Sequence, residues 1–370
     1  MDKNFLSITP VSLTFSAESS TLSISLIAGD DWTLTASDWI TFTPNSGKAG
    51  NSPRTIFVSV AENTGEIRTG SLTVTSASGK TATVKITQKA PEKNPVINLK
   101  GKRYLVIANS MVYYGGFVQY GSQGGEDIGM FNKILKAHDM EGTVIDCTYG
   151  NHRLTDYLEA GCNTTTSHGD HLSKIDLKSI DYVILCAEGS NPSSFLKTCR
   201  ALYKRVTDVN PNAGKVYINH VYSVFNKHSN ILGNLKTLHE EDGVTIVNCG
   251  QLAYDIYTGA VKVPGGSKVY KDRYTFVNHT SSDTHHPNPL MGYIMTQMTF
   301  CALTGETPYY ADYLNLIKSC KYSSTGSLAY DSYYSKFYTT PAALPFMEVL
   351  NDPAEMAGIQ QMIPLYINKY

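Results

Sequence analysis

The sequence predicts two domains of different class: an all-β sandwich over residues 1–90 and, after a linker at 91–100, a parallel α/β domain over 101–370. Three observations predict it. The first ninety residues are dominated by Ser and Thr and alternate apolar with polar at period two, with no helical period. From Gly101 onward short apolar runs alternate with helix-period stretches, the pattern of parallel strands covered on both faces. Between them Pro91-Glu92-Lys93-Asn94-Pro95 forms a short, stiff joint.

In the first domain the strand-like runs are Ser12–Phe15, Thr21–Leu26, Thr55–Val60, Ser71–Thr75 and Ala82–Ile86. Gly, Asn and Pro clusters break them at intervals suited to a sandwich. In the second domain the runs are Arg103–Ala108, Thr143–Cys147, Asp181–Ala187, Lys215–Asn219 and Val244–Val247. Helix-like stretches lie at Asp127–Ala137, Ser193–Val206, Ile231–Glu240 and Leu290–Leu303. Asp352–Tyr366 adds a late helix with Pro353 at its start. This tyrosine-rich C-terminal region either packs under the sheet or walls the site.

Composition excludes several classes. Net charge is −1 and charged residues make up 17% of the chain, so neither a nucleic-acid patch nor an acidic tail is indicated. No apolar run is long enough to span a membrane, so no transmembrane segment is expected. Seven cysteines without a CxxC pair, an odd number, argue against a disulfide framework. The opening Met1-Asp2-Lys3-Asn4 carries no leader pattern. Either a leader has been removed or the protein is natively leaderless, as a phage-particle component would be. The 25 tyrosines and few charges suit work outside the cytoplasm.

Ligands of a parallel sheet bind beyond the carboxyl ends of its strands. The residues there are Asn109-Ser110-Met111, Tyr149-Gly150-Asn151-His152, Glu188-Gly189-Ser190-Asn191 and His220. Asp283-Thr284-His285-His286-Pro287-Asn288 follows the fifth run and precedes a helix. Together they supply a nucleophile, backbone N–H groups, an amide, a base and a carboxylate. Asp283 sits three residues before His286, so it can bond the imidazole locally and leave the outer ring nitrogen free. If Ser110 meets this pair, the chain is a Ser-His-Asp hydrolase. If not, it is a two-domain binding protein.

These blocks, in this order, resemble the SGNH (GDSL-type) hydrolase superfamily over residues 101–310. Ser110 matches the nucleophile block, Gly150 the glycine block, Gly189-Ser190-Asn191 the Gly-x-Asn block and Asp283 to His286 the Asp-x-x-His-Pro block. Tyr149 to Leu154 and Thr304-Gly305 find counterparts in Bacteroidetes-type members. Two positions depart from the pattern: Ala108 replaces a glycine, and Pro192 an aspartate. The resemblance implies a three-layer, flavodoxin-like fold and acyl transfer without cofactor or metal. Ser110 would be the nucleophile, His286 the base and Asp283 its orienting carboxylate. The oxyanion hole would comprise the N–H groups of Ser110 and Gly150 and the Asn191 amide.

Residues 1–90 resemble the BACON family, an immunoglobulin-like sandwich. Trp32, Trp39-Ile40, Pro44, Ser46-Gly47, Asn63, Arg68, Gly70 and Ile86-Thr87-Gln88 carry the resemblance. That family is proposed to bind carbohydrate, or else to act as a spacer, and a buried Trp is the usual core of a small sandwich. The expected substrate is therefore a polysaccharide or glycan, deacylated by an extracytoplasmic esterase, with a non-catalytic adhesin or phage-particle protein as the alternative. Tyr113, Tyr114, His152 and His285 are candidate lining residues; Tyr113, Tyr114, Phe117 and Tyr120 either stack on a sugar or pack a loop. His168-Gly169-Asp170-His171 lacks a partner cluster for zinc and reads as a polar loop. The oligomeric state has no signal in the sequence.

Overall fold

A computed structural model describes all residues except 1, 91–95, 120–128, 151, 159–171, 173–174, 187–191, 221–229, 279–284, 307–311, 323–327 and 330–344. The chain divides into two compact units, Met1–Asn94 and Pro95–Tyr370.

The first unit is a sandwich of nine strands: β1 (Leu6–Thr9), β2 (Ser12–Phe15), β3 (Ser20–Ala28), β4 (Trp32–Ala36), β5 (Ile40–Thr43), β6 (Ser46–Gly47), β7 (Gly50–Val60), β8 (Arg68–Ser76) and β9 (Thr81–Gln88). One sheet has the order β1-β3-β7-β5 and the other β2-β9-β8-β4-β6. All pairings are antiparallel except β2 with β9. Alternation does what period two requires: Ile24, Leu26, Ile56, Val58, Leu72, Val74, Val84 and Ile86 point into one core. The Thr and Ser residues between them face out. Sequence pattern marks five of these strands; β1, β4, β5 and β6 are too short or too Thr-rich to stand out.

The residues that carry the family resemblance in this unit hold it together. Trp32 is buried, and a Cβ on Gly47 would run into its ring, so only glycine fits there. The Arg68 guanidinium stands 4.5 Å over the Trp39 ring and grips Gln88 Oε1 at 2.8 and 3.0 Å. Gln88, wholly buried, donates in turn to the carbonyls of Ala17 at 3.0 Å and Ala61 at 2.9 Å. Neither tryptophan is an open platform.

The second unit contains a five-stranded parallel sheet of β10 (Arg103–Ala108), β11 (Thr143–Thr148), β12 (Tyr182–Cys186), β13 (Gly214–Ile218) and β14 (Thr245–Val247), in the order β11-β10-β12-β13-β14. Numbered within the sheet this is 2-1-3-4-5, a doubly wound order whose direction reverses at the first strand. The helices are α1 (Ser110–Tyr113), α2 (Met130–Ala137), α3 (Pro192–Thr207), α4 (Asn230–Glu240), α5 (Cys249–Thr258), α6 (Pro289–Thr304), α7 (Tyr313–Ser319), α8 (Pro345–Leu350) and α9 (Pro353–Met362). Tyr104, Val106 and Ala108 face a core with α2, α5, α6 and α9, whereas Leu105 and Ile107 face α3 and α4. Both faces of the sheet are thereby covered.

Helix α6 is buried on every side, with fifteen residues inside. Its threonines are tolerable because the hydroxyls of Thr296, Thr299 and Thr304 each donate at 2.8 Å to the carbonyl four residues earlier. The C-terminus closes the sheet beyond β14: Ile367 bridges Val247, Asn368 Oδ1 accepts from Ile246 N at 2.8 Å, and Asn248 Nδ2 donates to Lys369 O at 2.8 Å. The late helix therefore packs in the main core and its tail seals an edge. Six cysteines, at 147, 186, 199, 249, 301 and 320, are buried as free thiols. Among the described residues no helix is long and apolar enough to cross a membrane.

Glu355, in the first turn of α9, is completely buried. Its carboxyl group accepts from Ser267 N at 2.6 Å, Lys268 N at 2.7 Å and the Tyr270 hydroxyl at 2.7 Å. Burial, reinforced by this bond, pushes the Tyr270 phenol well above its usual range. Glu355→Ala strands one buried and two part-buried donors and is expected to cost about 3 kcal/mol in urea unfolding. A change below about 1 kcal/mol would contradict the role.

Candidate functional site

Strand β10 ends at Ala108, paired to the last register with Thr148 and Cys186. The chain then turns at once into α1. Asn109 caps that turn, accepting from Met111 N at 3.1 Å, while its amide donates to His152 O at 3.0 Å. The loop after β11 is thus tied to the loop after β10. A second tie lies beneath: Tyr149 N donates to Ala108 O at 3.1 Å, and the Tyr157 hydroxyl bonds both groups. Ala108 has a negative φ and sits wholly inside the core, so the position needs no glycine. Pro192 opens α3, a place where proline is at home.

Ser110 is the first residue of α1 and only 8% exposed. Its N–H, as the first of a helical turn, has no acceptor within the turn. Its hydroxyl meets His286: Ser110 Oγ lies 2.8 Å from His286 Nε2, across 176 residues of sequence. In the tautomer protonated on Nδ1 the serine is the donor.

His286 is held by a short antiparallel clamp. Asn278 N donates to His286 O at 2.8 Å, Val277 bridges Pro287, and Asn288 N donates to Phe276 O at 3.2 Å. Asn288, wholly buried, spends its amide on the Thr275 carbonyl at 2.8 Å and its Oδ1 on Met291 N at 3.1 Å, capping α6. That capping role has a sequence signal, an Asn directly before a helix-starting Pro.

Helix α6 then crosses the chain after α1 with no side chain between them. A Cβ on Gly292 would collide with the Gly115 carbonyl oxygen, and one on Gly115 would lie 2.8 Å from Gly292 Cα. Glycine on both sides is what lets the serine and histidine segments close to hydrogen-bond distance.

The other expected residues fall as follows. Tyr114 lies flat on the His286 imidazole, ring centroids 3.9 Å apart and planes 11° apart. Tyr113 and Phe117 are buried in the main core. Tyr113 Oη comes within 3.0 Å of where a Gly150 Cβ would be, so Gly150 keeps its loop close to α1. His152 Nδ1 lies 3.0 Å from Gly150 O, and the His285 ring is 4.1 Å from that of His286. His220 is wholly buried at the end of β13. Asp283, Asn191, Tyr120 and the stretch from His168 to His171 lie outside the described residues. Among the described residues no group of three or more His, Cys, Asp or Glu is placed to hold a metal.

Residues 30–89 match the BACON family, described as "Putative binding domain, N-terminal", and form a BACON domain. No curated protein matches the chain by sequence. Among solved structures, a Bacteroides ovatus GH5 xyloglucanase in complex with a XXXG heptasaccharide is similar at 11% identity and a TM-score of 0.22 over 81% of this chain and 62% of that one. The chain therefore spans under two thirds of that enzyme's length. The C. elegans MSP family member WR4 is similar at 7% identity and a TM-score of 0.20, covering 23% of this chain and 96% of its own. The BIgI domain of beta protein from S. agalactiae bound to CEACAM1 is similar at 16% identity and a TM-score of 0.19, over 24% and 98%. Likenesses of this size establish no shared function.

Gly292→Ala is expected to cost about 1–3 kcal/mol through overpacking against Gly115. Thermal unfolding measures it, and an unchanged midpoint would show that the two segments are free to part.

Proposed function

We propose that residues 101–370 are an SGNH-type serine ester hydrolase that removes acyl groups, acetyl above all, from a carbohydrate. The 2.8 Å approach of His286 Nε2 to Ser110 Oγ, at the carboxyl edge of a parallel sheet and beside its first strand, carries this reading. A base within hydrogen-bond reach of a nearly buried hydroxyl is the geometry that proton abstraction needs.

In the proposed reaction Ser110 Oγ attacks the ester carbonyl as His286 takes its proton. The tetrahedral intermediate collapses when His286 returns that proton to the leaving sugar oxygen, leaving an acyl group on Ser110. Water, activated by the same imidazole, attacks the acyl carbonyl and releases the carboxylic acid and free serine. Asp283, three residues before His286, is assigned by the family resemblance to bond the Nδ1–H. The developing oxyanion is assigned to the Ser110 and Gly150 N–H groups and the Asn191 amide, donors typically worth about 10²–10³ in rate each. No cofactor enters the scheme.

The carbohydrate half of the proposal rests on the BACON domain, whose description is that of a binding module. In this proposal the enzyme works outside the cytoplasm, on glycan. Acetylated xylan, pectin and acetylated sialic acid are the first substrates to screen. The full-length protein treated with a fluorophosphonate probe is expected to label at Ser110, and Ser110→Ala is expected not to label. Absence of labelling in both would leave the alternative, a non-catalytic surface or particle protein on the same scaffold.

A further inference from the structure

Tyr114 does more than line the site. It closes α1, with its N–H donating to Ser110 O at 3.1 Å, so it is rigidly tied to the nucleophile's own turn. Its ring covers one face of the His286 imidazole, nearly parallel, at 3.9 Å. His286 completes the circuit by meeting Ser110 Oγ at 2.8 Å. One helical turn therefore presents both the hydroxyl that loses the proton and the aromatic face against which the base sits.

We infer that Tyr114 is a positioning residue for His286: its ring fixes the plane of the imidazole and favours the imidazolium that forms as Ser110 is deprotonated. The inference rests on the ester-hydrolase reading. The physical basis is differential. A neutral imidazole gains little from a parallel neutral ring, whereas a cation over an aromatic face is attracted by the ring's quadrupole. The contact is therefore stronger after proton transfer than before, which is the condition for raising kcat rather than tightening substrate binding. The stack also limits rotation of the imidazole, keeping Nε2 aimed at Oγ. His285, whose ring lies 4.1 Å from His286 but inclined at 37°, does not present a parallel face.

The test compares aromatic and aliphatic side chains that both lack the hydroxyl. Hydrolysis of p-nitrophenyl acetate by Tyr114→Phe is expected to stay within about 3-fold of the wild-type rate, since an aromatic face survives. Tyr114→Leu and Tyr114→Met are expected to lose about 10-fold in kcat with KM within about 2-fold and an unchanged melting temperature. Fluorophosphonate labelling of Ser110 should slow in the same order. If Phe and Leu or Met are equally fast, or the loss falls on KM, the positioning role is overturned while the hydrolase reading stands. If the wild type itself neither hydrolyses the ester nor labels at Ser110, the hydrolase reading fails first.

Discussion

The geometry of the site hangs on one backbone-to-backbone contact, between Gly115 and Gly292. Ser110 and His286 are brought together across 176 residues of the α/β unit. The entropy of closing so long a loop grows only slowly with length, so separation in sequence is not the difficulty. Precision is, because a misplacement of about 1 Å at a reacting pair can cost ~10²-fold in rate. Close-packed glycines supply that precision, since backbones in contact have no rotamers through which to drift. Around them the Asn288 clamp and the Asn109 cap use buried hydrogen bonds to fix the two residues on either side.

The two units use sequence in different ways. In the sandwich, Trp32 with Gly47 and Trp39 with Arg68 and Gln88 are consumed by folding. A family signature there reports the shape of the fold, and any surface that binds a ligand must be sought elsewhere on the domain. In the α/β unit Ser110 follows β10 and Gly150 follows β11, at strand ends where the backbone leaves the sheet. The same contrast separates Tyr113 and Phe117, absorbed into the core, from Tyr114, which faces the imidazole.

Much of this was legible in the sequence. The run Arg103–Ala108 is the strand found, and the other four parallel strands shift by a residue or two, because continuous apolar runs between turn signals leave little freedom. The helix at Cys249–Thr258 is not legible in the sequence, since Cys, Gly and Tyr blur its period. The approach of Ser110 to His286 was expected from block order, and the pair does meet. The Tyr114 stack and the Gly115–Gly292 contact were not legible. Both depend on the angle at which α6 crosses the turn after β10, a tertiary quantity with no period or spacing to betray it. Aromatic residues beside glycines read alike in sequence whether they pack a core or seat a base.

The claim that Ser110 and His286 form one chemical unit is tested most directly by a double-mutant comparison of kcat for p-nitrophenyl acetate in the full-length protein. A unit predicts that Ser110→Ala, His286→Ala and the double variant all fall to the same residual rate, since removing either partner removes the function of both. Losses that add in free energy, with the double variant slower than the wild type by the product of the two single effects, would contradict the account.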